Sequence, residues 1–118
     1  MKQINLFEPN LSYLEKKFVL ESLNKNQISS YGYFNDLLEK EVKKVTDSKY
    51  NLTISSGSAG LYIALKSTGI KKDEIVITQS YTFSATTNAI MLNNSIPLLV
   101  DISYNDLNID FENLKNFF

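Results

Sequence analysis

Apolar residues recur along the chain first with a helical and later with a strand-like period, and this order predicts an α/β protein. The first helical stretch opens at Ser12, which has the spacing of a capping box with Glu15. Leu14 and Phe18 then fall on one face of the helix. Polar residues at 24–27 interrupt the pattern, so we expect the first helix to end there.

A second helical stretch follows a loop at residues 28–32, in which Gly32 is free to take a positive φ. Its apolar residues keep i, i+3 and i+4 spacing, and charged residues occupy the opposite side. The apolar positions are Phe34, Leu37, Leu38, Val42 and Val45. The charged run between them is typical of a solvated helix face.

The central stretch of the chain changes from a strand to a helical period at a run of small residues. Leu52 and Ile54 alternate with polar neighbours, as a strand requires. Residues 55–60 are all Ser, Gly or Ala. From Leu61 onward the apolar spacing is helical, and Gly69 supplies a stop. We therefore predict a strand, a tight turn and a helix.

A short apolar, β-branched run lies at residues 74–78, and a third β run, with Pro97 near its start, lies at residues 96–101. A helical pattern at residues 85–94 separates them, and the start of another helix follows at residues 111–118. Three strands separated by helices imply right-handed crossovers and a mainly parallel sheet, with ligands beyond the carboxyl ends of the strands. The pattern predicts a three-layer α/β/α fold.

The composition is that of one modest domain with its own core: 118 residues, 43% hydrophobic and 12% aromatic. The net charge of −1 comes from interspersed lysines and carboxylates, which argues against nucleic-acid and anionic-membrane partners. Residues 75–100 lack charge, but polar residues interrupt them too often for a membrane span. The N-terminus lacks the apolar segment of a secretory signal, so we expect a cytoplasmic protein.

His, Cys and Arg, which carry much of enzyme chemistry, are absent from the sequence. Their absence excludes an imidazole general base, a thiol nucleophile, a zinc site built on His and Cys, and a disulfide. It also excludes a bidentate guanidinium clamp. An anion could be held here only by backbone N–H groups, hydroxyls or lysine.

The small residues at 55–60 have the features of an anion cradle. Small side chains let the backbone approach a ligand, and a helix N-terminus offers unpaired N–H groups and the positive end of a dipole. Phosphate suits such a site best. Gly57 and Gly60 complete neither the dinucleotide-binding fingerprint nor a P-loop. The alternative is an ordinary serine-capped helix behind a strand.

The chain resembles the opening third of the DegT-type sugar aminotransferases along essentially its whole length. The pieces that carry the resemblance occur in the family's order and spacing: SSYG at 29–32, LE at 38–39 with Glu41, SSGSAGL at 55–61, IVIT at 75–78, YTFSAT at 81–86, NAI at 88–90, Pro97 and VDI at 100–102. These are pyridoxal-phosphate enzymes of the aspartate-aminotransferase fold type (fold type I). They transfer an amino group, typically from glutamate, to a keto group on a nucleotide-linked sugar.

The resemblance implies a cofactor-binding role for four residues of this chain. It places Gly57, Ser58 and Ala59 on the phosphate of pyridoxal 5'-phosphate, with Ser58 where the family usually has Thr. It places Phe83 on the pyridine ring, although core packing is the alternative for that side chain. Gly60 stands where Ala is usual, which weakens the first helical turn by about 1 kcal/mol.

Three further residues receive less specific roles from the resemblance. Gln79 is expected to orient the cofactor or the substrate. Tyr31 and Tyr81 are expected to contact the substrate, and the alternative for Tyr81 is a rim aromatic that packs against the next helix.

No catalytic residue is expected within the chain. Transamination needs a Schiff-base lysine and a carboxylate on the pyridinium nitrogen, and the resemblance places both beyond Phe118. Lys115 lies in a charged helical start and Asp101 ends a strand, so neither is assigned those roles. We therefore expect residues 1–118 to form a single N-terminal part of the large domain, inactive alone.

The implied context is amino-sugar or surface-polysaccharide biosynthesis by a complete protein that is a homodimer. In the isolated chain the later strands are missing, so some apolar side chains should be poorly buried. These are Leu61, Leu65, Ile90 and Leu92. One alternative is a catalytically dead truncation product that acts as a phosphate- or partner-binding module. Another is a free-standing nucleotide-binding domain, which the missing fingerprints disfavour.

Overall fold

The computed structural model describes residues 4–5 and 7–116, which form two compact units, Met1–Thr53 and Ile54–Phe118. The elements of the described residues are α1 (Tyr13–Asn24), α2 (Tyr33–Thr46), α3 (Gly57–Ser67), β1 (Ile75–Gln79), α4 (Ser84–Leu92), β2 (Ile96–Val100) and α5 (Phe111–Lys115). Helices α1 and α2 belong to the first unit, and the elements from α3 to α5 belong to the second. That residues 1–118 act as one domain part stays a prediction.

The capping box predicted at the start of α1 is confirmed. The Ser12 hydroxyl accepts a hydrogen bond from the Leu14 N–H at 3.1 Å, and the Glu15 carboxylate accepts one from the Ser12 N–H at 2.6 Å. These contacts pair N–H groups that have no partner within the helix. The helix ends at Asn24, within the expected range.

Helix α2 packs on α1 through aromatic rings. The centroids of Phe18 and Phe34 lie 5.6 Å apart, and Tyr33 contacts Phe34 edge-on at 5.2 Å. Gly32 precedes the helix with a φ of 161°, which is extended backbone open to any residue rather than a left-handed conformation.

The parallel sheet predicted from the sequence is present, with two strands. β1 and β2 pair in parallel from Ile75 opposite Ile96 to Gln79 opposite Val100. The core of this unit lies where α4 covers the sheet, around Ala89, Ile90 and Val100. The expectation that Ile90 is poorly buried is wrong, because only 3% of this residue is exposed.

The strand expected at residues 52–54 is not formed, and that part of the prediction is wrong. No strand among residues 4–5 and 7–116 lies beside this segment to accept its hydrogen bonds. Instead, the carboxylate of Glu39 accepts from the Thr53 N–H at 2.7 Å and from the Thr53 hydroxyl at 2.9 Å. A side chain of α2 thus accepts the hydrogen bond that a neighbouring strand would otherwise accept from Thr53.

The helices are short. The longest, α2, has 14 residues, and no helix in the described part of the chain is long and apolar enough to cross a membrane. The helical start predicted at residues 111–118 is present as α5, Phe111–Lys115, and residues 117–118 lie outside the described part of the chain.

Candidate functional site

The small residues at 55–60 form the N-terminus of α3. Ser56 is the N-cap, with extended backbone, and its hydroxyl accepts a hydrogen bond from the Ala59 N–H at 3.2 Å. Its carbonyl accepts from the Gly60 N–H at 3.1 Å. Ser56 therefore uses the Ala59 amide, which was expected to face the phosphate, for capping. The sequence indicated a serine cap only as the alternative to an anion cradle, and the structure identifies Ser56 as that cap.

Two amides and one hydroxyl at this N-terminus stay available for a ligand. Within residues 4–5 and 7–116, no hydrogen bond satisfies the N–H groups of Gly57 and Ser58 or the hydroxyl of Ser58. Both residues are exposed, and a β-carbon on Gly57 would meet no atom within 4 Å. The first turn of α3 is thus an open set of donors at the positive end of a helix dipole.

No formal charge lies within this turn or the adjoining residues. The nearest charged residues in the sequence on either side are Lys49 and Lys66. The donors that this segment itself offers to an anion are therefore backbone amides and hydroxyls.

Gly60, the departure from the usual Ala, has a local structural reason. A β-carbon at this position would overlap Cδ1 of Ile54. The glycine thus lets the segment before the turn lie close against the first turn of α3.

The second junction follows β1 and is fixed by hydrogen bonds at its base. The Ser80 N–H donates to the Val100 carbonyl at 2.8 Å, and the Gln79 side-chain amide donates to the Tyr81 carbonyl at 2.7 Å. The amide of Gln79 therefore holds the loop that carries Tyr81. Tyr81 itself is 66% exposed.

Phe83 is the N-cap residue of α4 and is 80% exposed. In this structure it does not pack in the core, so its ring is available to a flat ligand. A pair of hydroxyls flanks it in sequence: that of Thr82, just before the N-cap, lies 2.9 Å from that of Thr86 in the first turn of α4. This pair was not identified from the sequence, where the only sign of it is two hydroxyl residues four positions apart.

The helices that carry Ser58 and Phe83 are packed on each other. Asn93, which is buried, donates to the Ala89 carbonyl of its own helix at 2.8 Å and to the Tyr62 carbonyl of α3 at 3.3 Å. This amide links the end of α4 to the middle of α3.

Two further residues belong to other parts of the chain. Tyr31 is in the unit Met1–Thr53 and is 79% exposed, and its N–H donates to the Ser29 hydroxyl at 3.3 Å. Lys115 ends α5, where its ammonium group pairs with Glu112 at 2.6 Å on an exposed surface. An exposed i,i+3 ion pair is an ordinary helix-surface feature.

Comparison with known proteins identifies the family. The sequence profile of the DegT/DnrJ/EryC1/StrS aminotransferase family matches residues 9–117. The chain belongs to this family. The resemblance predicted from the sequence is thereby confirmed, and pyridoxal phosphate is the family's cofactor.

Curated relatives include enzymes of amino-sugar and polysaccharide biosynthesis. The GDP-perosamine synthase of Escherichia coli O157:H7 is 34% identical over 101 residues, which are 86% of this chain and 28% of the relative. The spore coat polysaccharide biosynthesis protein SpsC of Bacillus subtilis is 35% identical over 102 residues, which are 86% of this chain and 26% of the relative. The chain thus spans less than a third of the length of these relatives.

Solved structures of related enzymes share the fold. The E. coli GDP-4-keto-6-deoxy-D-mannose-3-dehydratase with bound hydrated PLP superposes with a TM-score of 0.86 at 26% identity, over 98% of this chain and 31% of that one. The aminotransferase from Psychrobacter cryohalolentis superposes with a TM-score of 0.84 at 26% identity, over 92% and 28%. The chain therefore has the α/β fold of the N-terminal portion of the large domain of a fold-type I pyridoxal-phosphate enzyme.

Proposed function

We propose that residues 1–118 form the phosphate-binding part of a pyridoxal-phosphate-dependent aminotransferase that acts on a nucleotide-linked keto-sugar. The observation that carries this proposal is the open first turn of α3, with unpaired donors on Gly57 and Ser58, inside the segment that matches the family. The names of the relatives, GDP-perosamine synthase and SpsC, support a place in amino-sugar or surface-polysaccharide biosynthesis.

In this proposal the cofactor phosphate lies at the N-terminus of α3. The N–H groups of Gly57 and Ser58 and the Ser58 hydroxyl donate to its oxygens, and the helix dipole favours its charge. Ala59 contributes the close approach of a small side chain rather than its N–H, which Ser56 already binds. Bound there, the cofactor supplies the electron sink that amino transfer needs.

Phe83 is proposed to stack on the cofactor ring, since its exposed face is free for such a contact. Gln79 is proposed to act on Tyr81 by holding its carbonyl, and thereby to set the position of a substrate-contacting aromatic ring. Tyr31 is proposed as a second substrate contact.

The activity is proposed for the complete protein, with glutamate as amino donor, a homodimeric assembly and a cytoplasmic location. The Schiff-base lysine and the carboxylate on the pyridinium nitrogen would come from sequence beyond Phe118. The chain by itself should therefore show no turnover with pyridoxal phosphate, glutamate and keto-sugars. Sustained turnover that is lost in Lys115→Ala would place the chemistry on this chain and contradict the proposal.

A second candidate reaction is dehydration of the same class of sugar. It is supported by the likeness to the E. coli 3-dehydratase. A mutant GDP-4-keto-6-deoxymannose-3-dehydratase with bound GDP-perosamine also superposes, with a TM-score of 0.82 at 27% identity. The two reactions differ in their products, because one adds nitrogen to the sugar and the other removes a hydroxyl group.

One experiment tests both candidates. The complete protein is incubated with pyridoxal phosphate, glutamate and a GDP-linked 4-keto-6-deoxy sugar, and the products are identified by mass spectrometry. A product that carries the glutamate nitrogen supports the aminotransferase. A deoxygenated product without nitrogen supports the dehydratase. If the complete protein, loaded with cofactor, converts none of a panel of nucleotide-linked keto-sugars, the proposal fails.

A further inference from the structure

Asn93 is a buried polar side chain at the point where the two helices of the candidate site, α3 and α4, meet. It is the C-cap of α4, and only 8% of the residue is exposed. Its side-chain amide has two N–H donors. It donates to the Ala89 carbonyl of α4 at 2.8 Å and to the Tyr62 carbonyl of α3 at 3.3 Å. Because the amide is shielded from water, both bonds stabilise its position.

The bond from Asn93 to α3 is more than the end of a helix needs. Thr46, the last residue of α2, donates to the Val42 carbonyl at 2.9 Å, and Thr68, the C-cap of α3, donates to the Leu65 carbonyl at 2.7 Å. Both bonds stay within one helix, as local side-chain bonds to the backbone usually do. Asn93 also reaches the neighbouring helix, so its second bond relates the position of α4 to that of α3.

The surfaces that α3 and α4 turn toward β1 are apolar and leave space between them. A groove of about 320 Å³ lies between the three elements, and Leu61, Leu65, Ala89 and Ile90 are among its lining side chains. Apolar contacts are non-directional, so they set how closely two helices approach rather than their offset along the axis. The directional bond from Asn93 is therefore suited to fix that offset.

The contact lies at different distances from the two halves of the candidate site. Both helices end at the amino edge of the sheet, because each is followed by one of the two parallel strands. Tyr62 lies four residues after Ser58, and Asn93 lies ten residues after Phe83. These separations correspond to about 6 Å along α3 and about 15 Å along α4. Measured along the helix axes, Phe83 is thus about 9 Å farther from the contact than Ser58.

We propose that Asn93 is a positioning residue for the cofactor, because its bond to the Tyr62 carbonyl fixes the distance between the Ser58 donors and the Phe83 ring. The inference rests on the proposed function, in which Ser58 binds the phosphate of pyridoxal phosphate and Phe83 stacks on its ring. A CH2–O linkage joins this phosphate to the ring, so one molecule engages both halves only at a restricted spacing. Two linked contacts add affinity only where the geometry lets both form.

Two variants of the complete protein remove the bond to α3. In Asn93→Thr the hydroxyl can donate to the Ala89 carbonyl within α4, as Thr46 donates within α2, but it is too short to reach Tyr62. Asn93→Leu has a similar size and no polar side-chain atom, so it removes both bonds and leaves no buried donor unpaired. An effect that both variants share is therefore due to the loss of the contact with α3.

Ser95→Ala is the matched control. Ser95 is 6% exposed and lies two residues after Asn93. Its hydroxyl donates to the Lys71 carbonyl at 3.3 Å, in the connection between α3 and β1 rather than in a helix. This variant removes a buried hydrogen bond from the same turn and leaves the bond between the helices in place.

Each protein is titrated with pyridoxal phosphate, with pyridoxal, which lacks the phosphate, and with inorganic phosphate as a competitor. Both Asn93 variants should bind pyridoxal phosphate about tenfold or more weakly, because its ring and its phosphate no longer fit together. Their affinities for pyridoxal and for inorganic phosphate should each change by less than about twofold. The visible circular dichroism of the bound cofactor should change too, whereas Ser95→Ala should match the native protein in every measurement.

The outcomes separate this inference from the proposed function. An Asn93 variant of either kind that binds pyridoxal phosphate as tightly as the native protein, with an unchanged spectrum, would overturn the inference. An equal loss of affinity for all three ligands would overturn it as well, because Asn93 would then only stabilise the fold. If inorganic phosphate does not compete with pyridoxal phosphate in the native protein, the proposed phosphate site is wrong and the inference fails with it.

Discussion

Cδ1 of Ile54 occupies the space that a β-carbon of residue 60 would need. Glycine at this position costs about 1 kcal/mol of helix stability relative to alanine. A β-carbon there would instead force Ile54, which is 44% exposed, out of its rotamer at a cost of about 0.5 to 1.5 kcal/mol. In a Gly60→Ala variant, the gain in helix propensity and the strain on Ile54 should therefore nearly cancel.

The first prediction is that the effect of Gly60→Ala depends on Ile54. In the complete protein, Gly60→Ala alone should change the free energy of unfolding by less than about 1 kcal/mol. In an Ile54→Val background, which lacks Cδ1, the same substitution should stabilise by up to about 1 kcal/mol. Chemical denaturation of the four proteins of the double-mutant cycle measures this coupling.

Gly57→Ala is the control for this cycle, because a β-carbon there would meet no atom within 4 Å. Its effect on stability should be the same in the native and in the Ile54→Val background. If Gly60→Ala also changes the free energy of unfolding equally in both backgrounds, the Ile54 side chain is not the reason that residue 60 is glycine.

The second prediction separates a ligand cradle from a capped helix. Ser56→Ala should lower stability by about 1 kcal/mol because the Ala59 N–H loses its acceptor. Ser58→Ala should leave stability nearly unchanged. In the complete protein it should weaken pyridoxal-phosphate binding by about 1.5 to 3 kcal/mol, because a charge-assisted hydrogen bond is lost.

Cofactor affinity and thermal stability are measured on the same preparations. Phe83→Ala should also lower affinity, by about 0.5 to 1.5 kcal/mol beyond the lost burial, and should alter the visible spectrum of the bound cofactor. Phe34→Ala, which removes a ring that packs on Phe18, is the control for general destabilisation. If Ser58→Ala and Phe83→Ala both bound the cofactor as tightly as the native protein does, at equal folded fraction, the first turn of α3 would be an ordinary capped helix and not a cofactor site.

The third prediction concerns the carboxylate that holds residue 53. Glu39→Ala should destabilise by about 1 to 3 kcal/mol, because it leaves the Thr53 N–H and hydroxyl without their acceptor. Glu39→Gln keeps an oxygen in place and should cost less. Equilibrium denaturation of the complete protein measures both variants.

Glu41→Ala is the matched control, since Glu41 lies on the same helix and, among the described residues, pairs with Lys44 on the surface. Such pairs contribute about 0 to 1 kcal/mol. Equal losses for Glu39→Ala and Glu41→Ala would show that the contact with Thr53 adds nothing to stability.

The fourth prediction is a pH dependence of α1. Hydrogen bonds from the Ser12 hydroxyl and the backbone lower the pKa of Glu15. Because the folded-state pKa is the lower one, the capping box contributes stability above the ordinary pKa of glutamate, and this contribution is lost as pH falls through the lowered value. The NMR shift of the Ser12 amide should report this titration.

The midpoint observed at Ser12 should lie below the ordinary value of about 4.3 for glutamate. In Glu15→Gln the acid transition at this amide should disappear. A midpoint at or above the ordinary value would show that the carboxylate does not accept these hydrogen bonds in solution.

Local chemistry determined most of the elements in advance. The Ser12 and Glu15 box, the small residues before α3 and the stop at Gly69, which has a φ of 82°, depend on neighbours in sequence, so a period and a cap suffice to predict them. The parallel pairing of β1 with β2 also followed, because a short helical crossover allows little else. The site residues came from the same stretches, read together with the family resemblance.

Tertiary structure decided which of the small and hydroxyl residues before and within the first turn of α3 caps the helix. The resemblance singled out Ser58 for the phosphate but did not say which serine caps the helix, and only the path of the backbone makes Ser56 the cap. The segment at residues 52–54 has a strand pattern, but a strand exists only with a partner, and here the Glu39 carboxylate takes that place. Hydrophobic periodicity encodes which face of an element is apolar, whereas the element that covers this face is set by contacts distant in sequence.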